Sequence, residues 1–259
     1  MTPGVVGPLD LEGTWWAIAT GLDAIADDSE AIAVVRRLAG TDIDCEIIAT
    51  DPWQAQMQLA DTYRSGRLFL IGDAAHQNPP WGGHGFNTGV GDSLNLGWKL
   101  AAAVKGWGSE TLLDSYEAER RPVAQRTIEL AAANMRVLSP DMATAHADEV
   151  VRLKSPEFFS LGLVLGYGYT EAAAAQTTAD GDYLPSLAPG NRLPHARGKD
   201  GGSLFDQLGP GVTVIGDDDR AAAIADAFAD KAVPVTRLTE ARDLVGTRAT
   251  VLVRPDQHV

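Results

Sequence analysis

Gly66-Arg67-Leu68-Phe69-Leu70-Ile71-Gly72-Asp73-Ala74-Ala75-His76 is where residue types and spacing in this chain combine into chemistry. Four apolar residues stop at a glycine and a carboxylate. After Gln77 and Asn78 comes Pro79-Pro80-Trp81-Gly82-Gly83-His84-Gly85-Phe86-Asn87. A carboxylate at the C-terminal edge of a strand stands where open α/β sheets bind ligands, and it can accept hydrogen bonds from sugar-like hydroxyls. Asp73 is therefore the first candidate binding residue. Pro79 and Pro80 fix φ and stiffen the loop, while Gly82, Gly83 and Gly85 let the backbone approach a flat ring closely. The helix that follows turns its N-terminal N–H groups and positive dipole end toward whatever the loop holds, which favours an electron-rich ring that becomes anionic when reduced.

These residues need elements to position them. The run at residues 68–71, short and uniformly apolar, reads as a strand buried on both faces. Residues 92–104 read as a largely buried helix, with Leu94, Leu96, Trp98, Leu100, Ala101 and Val104 as its apolar set. Residues 111–138 are helical in composition, with Pro122 as a kink or a junction between two helices. A further helix is expected near residues 142–153. Upstream, residues 14–20 read as a strand, and Asp27-x-x-Glu30 is a capping box for a helix ended by Gly40. Residues 43–48 and 53–59 carry β-branched and period-two patterns and read as strands. Downstream, residues 181–211 are rich in proline and glycine and mark a domain boundary or an ordered linker. From Val212 the pattern is strand, helix, strand, short helix, strand, a small α/β unit covering residues 212–253.

The segment from Gly66 to Asn87 resembles the second FAD fingerprint of the class A flavin-dependent aromatic monooxygenases, the group of para-hydroxybenzoate hydroxylase and phenol hydroxylase. The resemblance continues through Asp92, Asn95-Leu96, Trp98-Lys99-Leu100 and Ser115-Tyr116-Glu117-x-Glu119-Arg120-Arg121-Pro122, and covers about residues 51–137. It implies FAD as cofactor and NAD(P)H as co-substrate. Asp73 would bind the ribityl and nearby phosphate region. Gly85, Phe86 and Asn87 would offer backbone groups to the pyrimidine edge of the isoalloxazine, Gly83 would also bind the cofactor, and Pro80 would lie beside the reactive flavin carbon. The implied reaction is hydroxylation of an aromatic or phenolic substrate with dioxygen, through a flavin hydroperoxide. From about Gly181 the chain resembles the thioredoxin-like domain of the phenol hydroxylase branch, chiefly in Pro189-Gly190-Asn191-Arg192-Leu193-Pro194-His195 and Val251-Leu252-Val253-Arg254-Pro255-Asp256.

The expected fold is thus α/β: the C-terminal portion of an FAD-binding aromatic hydroxylase fold, then a small thioredoxin-like α/β domain. Residues 1–65 would be the remainder of a substrate-binding domain, 66–180 the C-terminal part of the FAD-binding domain with a helical extension, and 181–259 an incomplete thioredoxin-like domain. The family's opening GxGxxG loop, which holds the ADP part of FAD, has no counterpart in the sequence. An N-terminal half chain is the expected partner, or a homodimer mate. A binding or assembly remnant without catalysis, and another flavoprotein oxidoreductase of the superfamily, are the competing readings.

Composition bounds the remaining choices. A net charge of -14 repels nucleic acid. No apolar run approaches the roughly 18 residues of a membrane helix, so a cytoplasmic chain is expected. The single cysteine, Cys45, excludes an internal disulfide and a CxxC pair. Trp53 and Trp81 are candidate walls of an aromatic substrate pocket, although large aromatics mostly serve cores. His76 and His84 read as structural. Arg120 and Arg121 could reach a phosphate, but are expected to pair with Glu117, Glu119 or another acid on the helical surface. Asp217-Asp218-Asp219, lying before a helix, reads as a cap and not as a metal site.

Overall fold

The computed structural model describes residues 4–22, 25–80, 82–136, 151, 155, 159–171, 173, 182–198, 201–240 and 249–259. Two compact units divide the chain, Met1–Gln54 and Ala55–Val259.

In the first unit, β1 (Gly4–Pro8) and β2 (Trp15–Ala19) form an antiparallel hairpin, with Gly4 opposite Ala19 and Pro8 opposite Trp15. Helix α1 (Asp28–Ala39) begins as its capping pattern dictates. The Asp27 carboxylate accepts from the Glu30 N–H at 2.9 Å, and Glu30 accepts in turn from the Ala26 N–H at 2.8 Å. Gly40, at φ 69°, closes the helix in the left-handed region. Ala31 and Val34 are its buried positions. The strands expected at residues 43–48 and 53–59 reduce to β3 (Gln58–Leu59). Backbone in that stretch has no ladder neighbour among the described residues, and without one a strand pattern forms no strand.

The second unit opens with short pairings. β3 pairs antiparallel with β6 (His76–Gln77), and β4 (Arg64–Ser65) with β5 (Leu68–Phe69). The expected strand at residues 68–71 is therefore shorter than its apolar run. It is also not buried on both faces: Leu68, Leu70 and Ile71 are exposed. Helices α2 (His84–Val104) and α3 (Glu110–Arg136) follow and pack on each other. Helix α2 starts at His84, earlier than the expected residue 92. Leu96 is buried, but Leu94, Leu100 and Val104 are exposed, so the apolar set of α2 is split between two faces. Helix α3 runs unbroken through Pro122. Its Tyr116 packs with Tyr63, Ala75, Leu96 and Ala124, and the Tyr116 hydroxyl donates to Leu70 O at 2.7 Å.

After a short helix α4 (Leu161–Val164), the C-terminal part is built on a three-stranded sheet in the order β8-β7-β9. Central β7 (Val212–Ile215) is buried at every position and runs parallel to β8 (Val235–Leu238) and antiparallel to β9 (Val251–Val253). Helix α5 (Asp219–Ala229) makes the crossover, capped by Asp218, whose carboxylate accepts from the Ala221 N–H at 2.8 Å. Leu193 and Leu204 join Ile215, Val251 and Val253 in one core, while Val214, Ala221 and Ala225 form the other. The proline- and glycine-rich stretch is therefore ordered where described, and it supplies core residues to the sheet. The helices expected at residues 142–153 and 240–245 fall almost wholly outside the described residues. No described helix is long and apolar enough to cross a membrane.

Candidate functional site

Asp73 sits on a 3-10 turn, Gly72–Ala74, between β5 and β6, with its side chain open to solvent. Gly72 takes φ 54°, which admits glycine readily. The turn leans closely on α2, because a Cβ added at Gly89 would lie 3.2 Å from the Gly72 Cα.

Beyond β6, Pro79 is buried and Pro80 exposed. Gly83 stands at φ 64° as the N-cap of α2, with nothing within 4 Å of where a Cβ would project. The glycine-rich loop expected to run through Asn87 therefore ends at Gly83. Gly85, Phe86 and Asn87 form the first turn of α2, held by the Asn87 Nδ2 donating to Gly83 O at 2.9 Å. Phe86 is 82% exposed. Its N-cap residue, Gly83, offers no side chain to cap it, and its first turn carries no acid. That leaves a helix start of positive polarity suited to acceptor groups of a ligand. Trp81 lies outside the described residues. Trp53 belongs to the first unit, where it is 63% exposed.

Behind the Asp73 turn lies a buried ionic group. Asp92 is fully buried on α2. Its Oδ2 accepts from the Gly72 N–H at 3.0 Å and lies 2.7 Å from His76 Nε2, and its Oδ1 accepts from Arg120 Nε at 2.8 Å. Arg120 also donates from Nη2 to Thr88 O at 3.0 Å. Burial alone would raise the Asp92 carboxyl, but the His76 hydrogen bond and the Arg120 guanidinium outweigh it and hold the group below the ordinary carboxylate range. Helix α2 accommodates the arginine at Gly91, where a Cβ would approach Arg120 Nη2 to 2.6 Å. The expected pairing of Arg120 with an acid of its own helix is thus overturned. Its partner is Asp92 across the α2–α3 contact, while Glu117 and Glu119 are engaged by the Tyr63 N–H and by Lys99. Arg121 likewise takes no acid but donates to Ala60 O at 3.0 Å. Glu117 turns away from both and accepts from the Tyr63 N–H at 2.7 Å.

One residue along α3, Glu119 enters a second cluster. Lys99 Nζ donates to Glu119 at 2.8 Å and to Ser115 Oγ at 2.8 Å. Arg254, just past β9, grips both Glu119 oxygens at 2.8 Å and lies 2.7 Å from Asp256 Oδ2. Its guanidinium is placed between the Trp98 ring, at 5.2 Å, and the Tyr169 ring, at 5.1 Å. Burial pulls the Lys99 ammonium down to about 8 against the attraction of Glu119. Replacing Lys99 with methionine is expected to change unfolding free energy by less than about 1 kcal/mol, since Arg254 still satisfies Glu119 and the apolar chain fills the space. Urea midpoints would check this. A loss above about 3 kcal/mol would mean that the ammonium itself holds the helices together.

Sequence reasoning passed over Asp92, Asn95 and Lys99 as functional residues. The signal was present: three polar residues at i, i+3 and i+7 on a helix otherwise rich in Leu and Ala trace one face, and all three are buried.

The Asp73 turn thus lies against the first turns of α2, and comparison with known proteins shows which proteins carry a similar chain. Residues 17–131 match the family described as FAD binding domain. The rifampicin monooxygenase of Rhodococcus hoagii is 36% identical over 257 residues, covering 94% of this chain and 47% of that protein. A putative polyketide hydroxylase of Streptomyces halstedii is 38% identical over 205 residues, covering 74% of this chain and 36% of that one. Among solved structures, the rebeccamycin biosynthetic enzyme RebC with reduced flavin superposes with a TM-score of 0.78 at 36% identity, over 95% of this chain and 51% of that chain. Aklavinone-11 hydroxylase with FAD and aklavinone gives a TM-score of 0.69 at 28% identity, over 89% and 46%. Over most of its length the chain is similar to the class A flavin-dependent aromatic monooxygenases. It spans about half the length, or less, of the curated relatives named here.

Proposed function

We propose that this chain forms the flavin-ring side of an FAD-dependent monooxygenase that hydroxylates an aromatic or phenolic substrate with NAD(P)H and dioxygen. The observation that carries the reading is the contact of the Gly72–Ala74 turn, which presents the exposed acid Asp73, with the second turn of α2 at Gly89, a helix whose first turn carries no acid. The residues present fit FAD. Asp73 is free to accept from ribityl hydroxyls, the open backbone at Gly83 admits a flat ring, and the N–H groups of the first turn at Gly85, Phe86 and Asn87 suit the carbonyl-bearing pyrimidine edge. Pro80, exposed before Gly83, borders the reactive face of the ring. Bound FAD would supply the redox chemistry: it takes two electrons from NAD(P)H and activates dioxygen. The chain's own tasks are to orient the ring, to favour negative charge on it through the α2 dipole, and to exclude water. Trp53 and Trp81 are the proposed aromatic contacts to the substrate.

The ADP half of FAD needs a strand, a GxGxxG loop and a helix, which an N-terminal half chain would supply. The sheet β8-β7-β9 with its crossover helix α5 is read as the core of a thioredoxin-like domain over residues 181–259. With no CxxC pair its role is packing or subunit contact. Residues 66–180 are read as the C-terminal part of the FAD-binding domain, residues 1–65 as the remainder of the substrate domain, and the protein as cytoplasmic.

Titrating the purified chain with FAD, alone and with the relatives' upstream half supplied in trans, tests the reading through flavin fluorescence. NAD(P)H consumption with a panel of phenols follows. Absence of flavin binding under both conditions would leave a remnant with the family's fold only. Within a binding-competent protein, Asp73→Ala is expected to weaken FAD by at least about tenfold. Because Asp73 is exposed, unfolding free energy should move by less than about 0.5 kcal/mol. Equal affinity in wild type and variant would remove Asp73 from the site.

A further inference from the structure

The Asp73 turn is closed by a single internal hydrogen bond, from the Ala75 N–H to Gly72 O at 2.8 Å. Gly72 is left-handed at φ 54°, the turn is three residues long, and Asp73 and Ala74 are exposed. Beyond that bond and the pairing of β6 with β3, its side-chain brace comes from α2. Asp92 Oδ2 reaches the backbone N–H of Gly72 at 3.0 Å, just before Asp73, and the His76 Nε2 at 2.7 Å, three residues after it. Both ends of the segment that presents Asp73 are thus tied to one oxygen of one buried carboxylate. The second oxygen is occupied by Arg120 at 2.8 Å, which fixes the orientation of the carboxylate plane. The arginine is anchored in turn to Thr88 O at 3.0 Å, within the first two turns of α2. The helix start and the acid are thereby referred to a common point.

We propose that Asp92 is a positioning residue for the cofactor site: it does not touch the ligand, but holds Asp73 in register with the N-terminus of α2. Its relevance to FAD rests on the function proposed above, whereas its bracing of the turn does not. Asparagine at this position keeps one acceptor oxygen but places an NH2 group toward at least one of the three donors, so the brace is lost at nearly constant volume.

Backbone amide exchange across residues 70–77, read by mass spectrometry in wild type and Asp92→Asn, tests the brace. An acceleration of about tenfold or more confined to this segment is expected. Unchanged exchange, or acceleration spread evenly over the chain, would overturn the proposal. The link to FAD is read from a double-mutant cycle with the upstream half present. Asp92→Asn should weaken FAD by about tenfold or more in the wild-type background and have little further effect once Asp73→Ala is in place. Equal weakening in both backgrounds would show that Asp92 acts on FAD by another route. Should wild type bind no flavin, the proposed function fails while the exchange result still decides the brace. If Asp92→Asn does not fold, His76→Gln removes only one of the two ties. Faster exchange in residues 70–77 with the unfolding midpoint retained would then support the proposal, and no change there would overturn it.

Discussion

Substituting leucine for Arg120 is expected to cost about 3–5 kcal/mol of unfolding free energy, the largest loss we anticipate for a single side chain in this molecule. The arginine is 1% exposed and stands over the Tyr167 ring at 5.1 Å. Removing it leaves Asp92, itself fully buried, with the Gly72 amide and His76 as its remaining partners. The cost is chiefly that of a buried carboxylate stripped of its counter-charge, because the pair itself contributes little relative to a well-packed apolar replacement. Two further outcomes follow. Lysine at position 120 should rescue only part of the loss, since one ammonium cannot reproduce two directed contacts to a carboxylate and a carbonyl. Replacing both Asp92 and Arg120 with apolar residues should cost less than the two single losses added together. Guanidinium unfolding of the four variants, the two at Arg120, the apolar replacement of Asp92 and the double replacement, measures all of this. An Arg120→Leu loss under about 1 kcal/mol would mean that Asp92 is not charged in the folded chain.

Arg254→Ala should lower stability by about 3 kcal/mol and move the acid limb of the pH profile upward. Arg254 serves two acids at once: Glu119, 135 residues earlier in the chain, and Asp256 beside it. Burial would raise the Asp256 carboxyl, but His258 and Arg254 more than compensate, bringing it down to about 2. The unfolded value is near 3.9. A group whose folded value is depressed contributes stability that is complete above the unfolded value and is lost as pH falls through the folded one. In wild type that contribution, roughly 2 kcal/mol, disappears between about pH 4 and pH 2. Without Arg254 the burial penalty is no longer offset, the folded value rises, and acid unfolding begins at higher pH. Near-ultraviolet circular dichroism is the suitable probe, since Trp98 and Tyr169 both lie against Arg254. Coincident acid limbs for wild type and variant would refute this account.

Local rules explain which elements were legible from sequence. Helix α1 follows from its capping box and Gly40, and β7, α5, β8 and β9 fall where alternation of apolar runs and the Asp218 cap place them. The start of α2 was misplaced because glycines normally interrupt helices. Here Gly85, Gly89 and Gly91 lie inside one, the last two leaving room for the Gly72 turn and Arg120. Residues 43–57 show the limit of periodicity: the pattern describes what a strand would bury, but only a neighbouring backbone makes it a strand. The charge pairings were least accessible. Rules for i+3 and i+4 neighbours gave Arg120 an acid on its own helix, whereas the packing of α2 on α3 set the true partner. Nothing local connects Glu119 with Arg254. For the candidate site, Asp73 and the glycines were visible in the linear motif, while the carboxylate behind them was hidden within a helix.

Adjacent residues of α3, Glu119 and Arg120, serve two different clusters, and only one of these is complete early in synthesis. Asp92, His76 and Arg120 are all made by the time α3 is, so the cluster behind the Asp73 turn can assemble while the chain is still growing. Glu119 and Lys99 must wait for Arg254, which follows the last strand of the C-terminal sheet. Until that strand pairs, the outer end of the α2–α3 contact has one cation for its acid and the Trp98 ring lacks its guanidinium cover. Arrival of Arg254 therefore registers that the C-terminal sheet has formed. A chain whose sheet misfolds would keep its Asp92 cluster yet leave Glu119 without Arg254, a difference that proteases and chaperones could use to distinguish it from the finished protein.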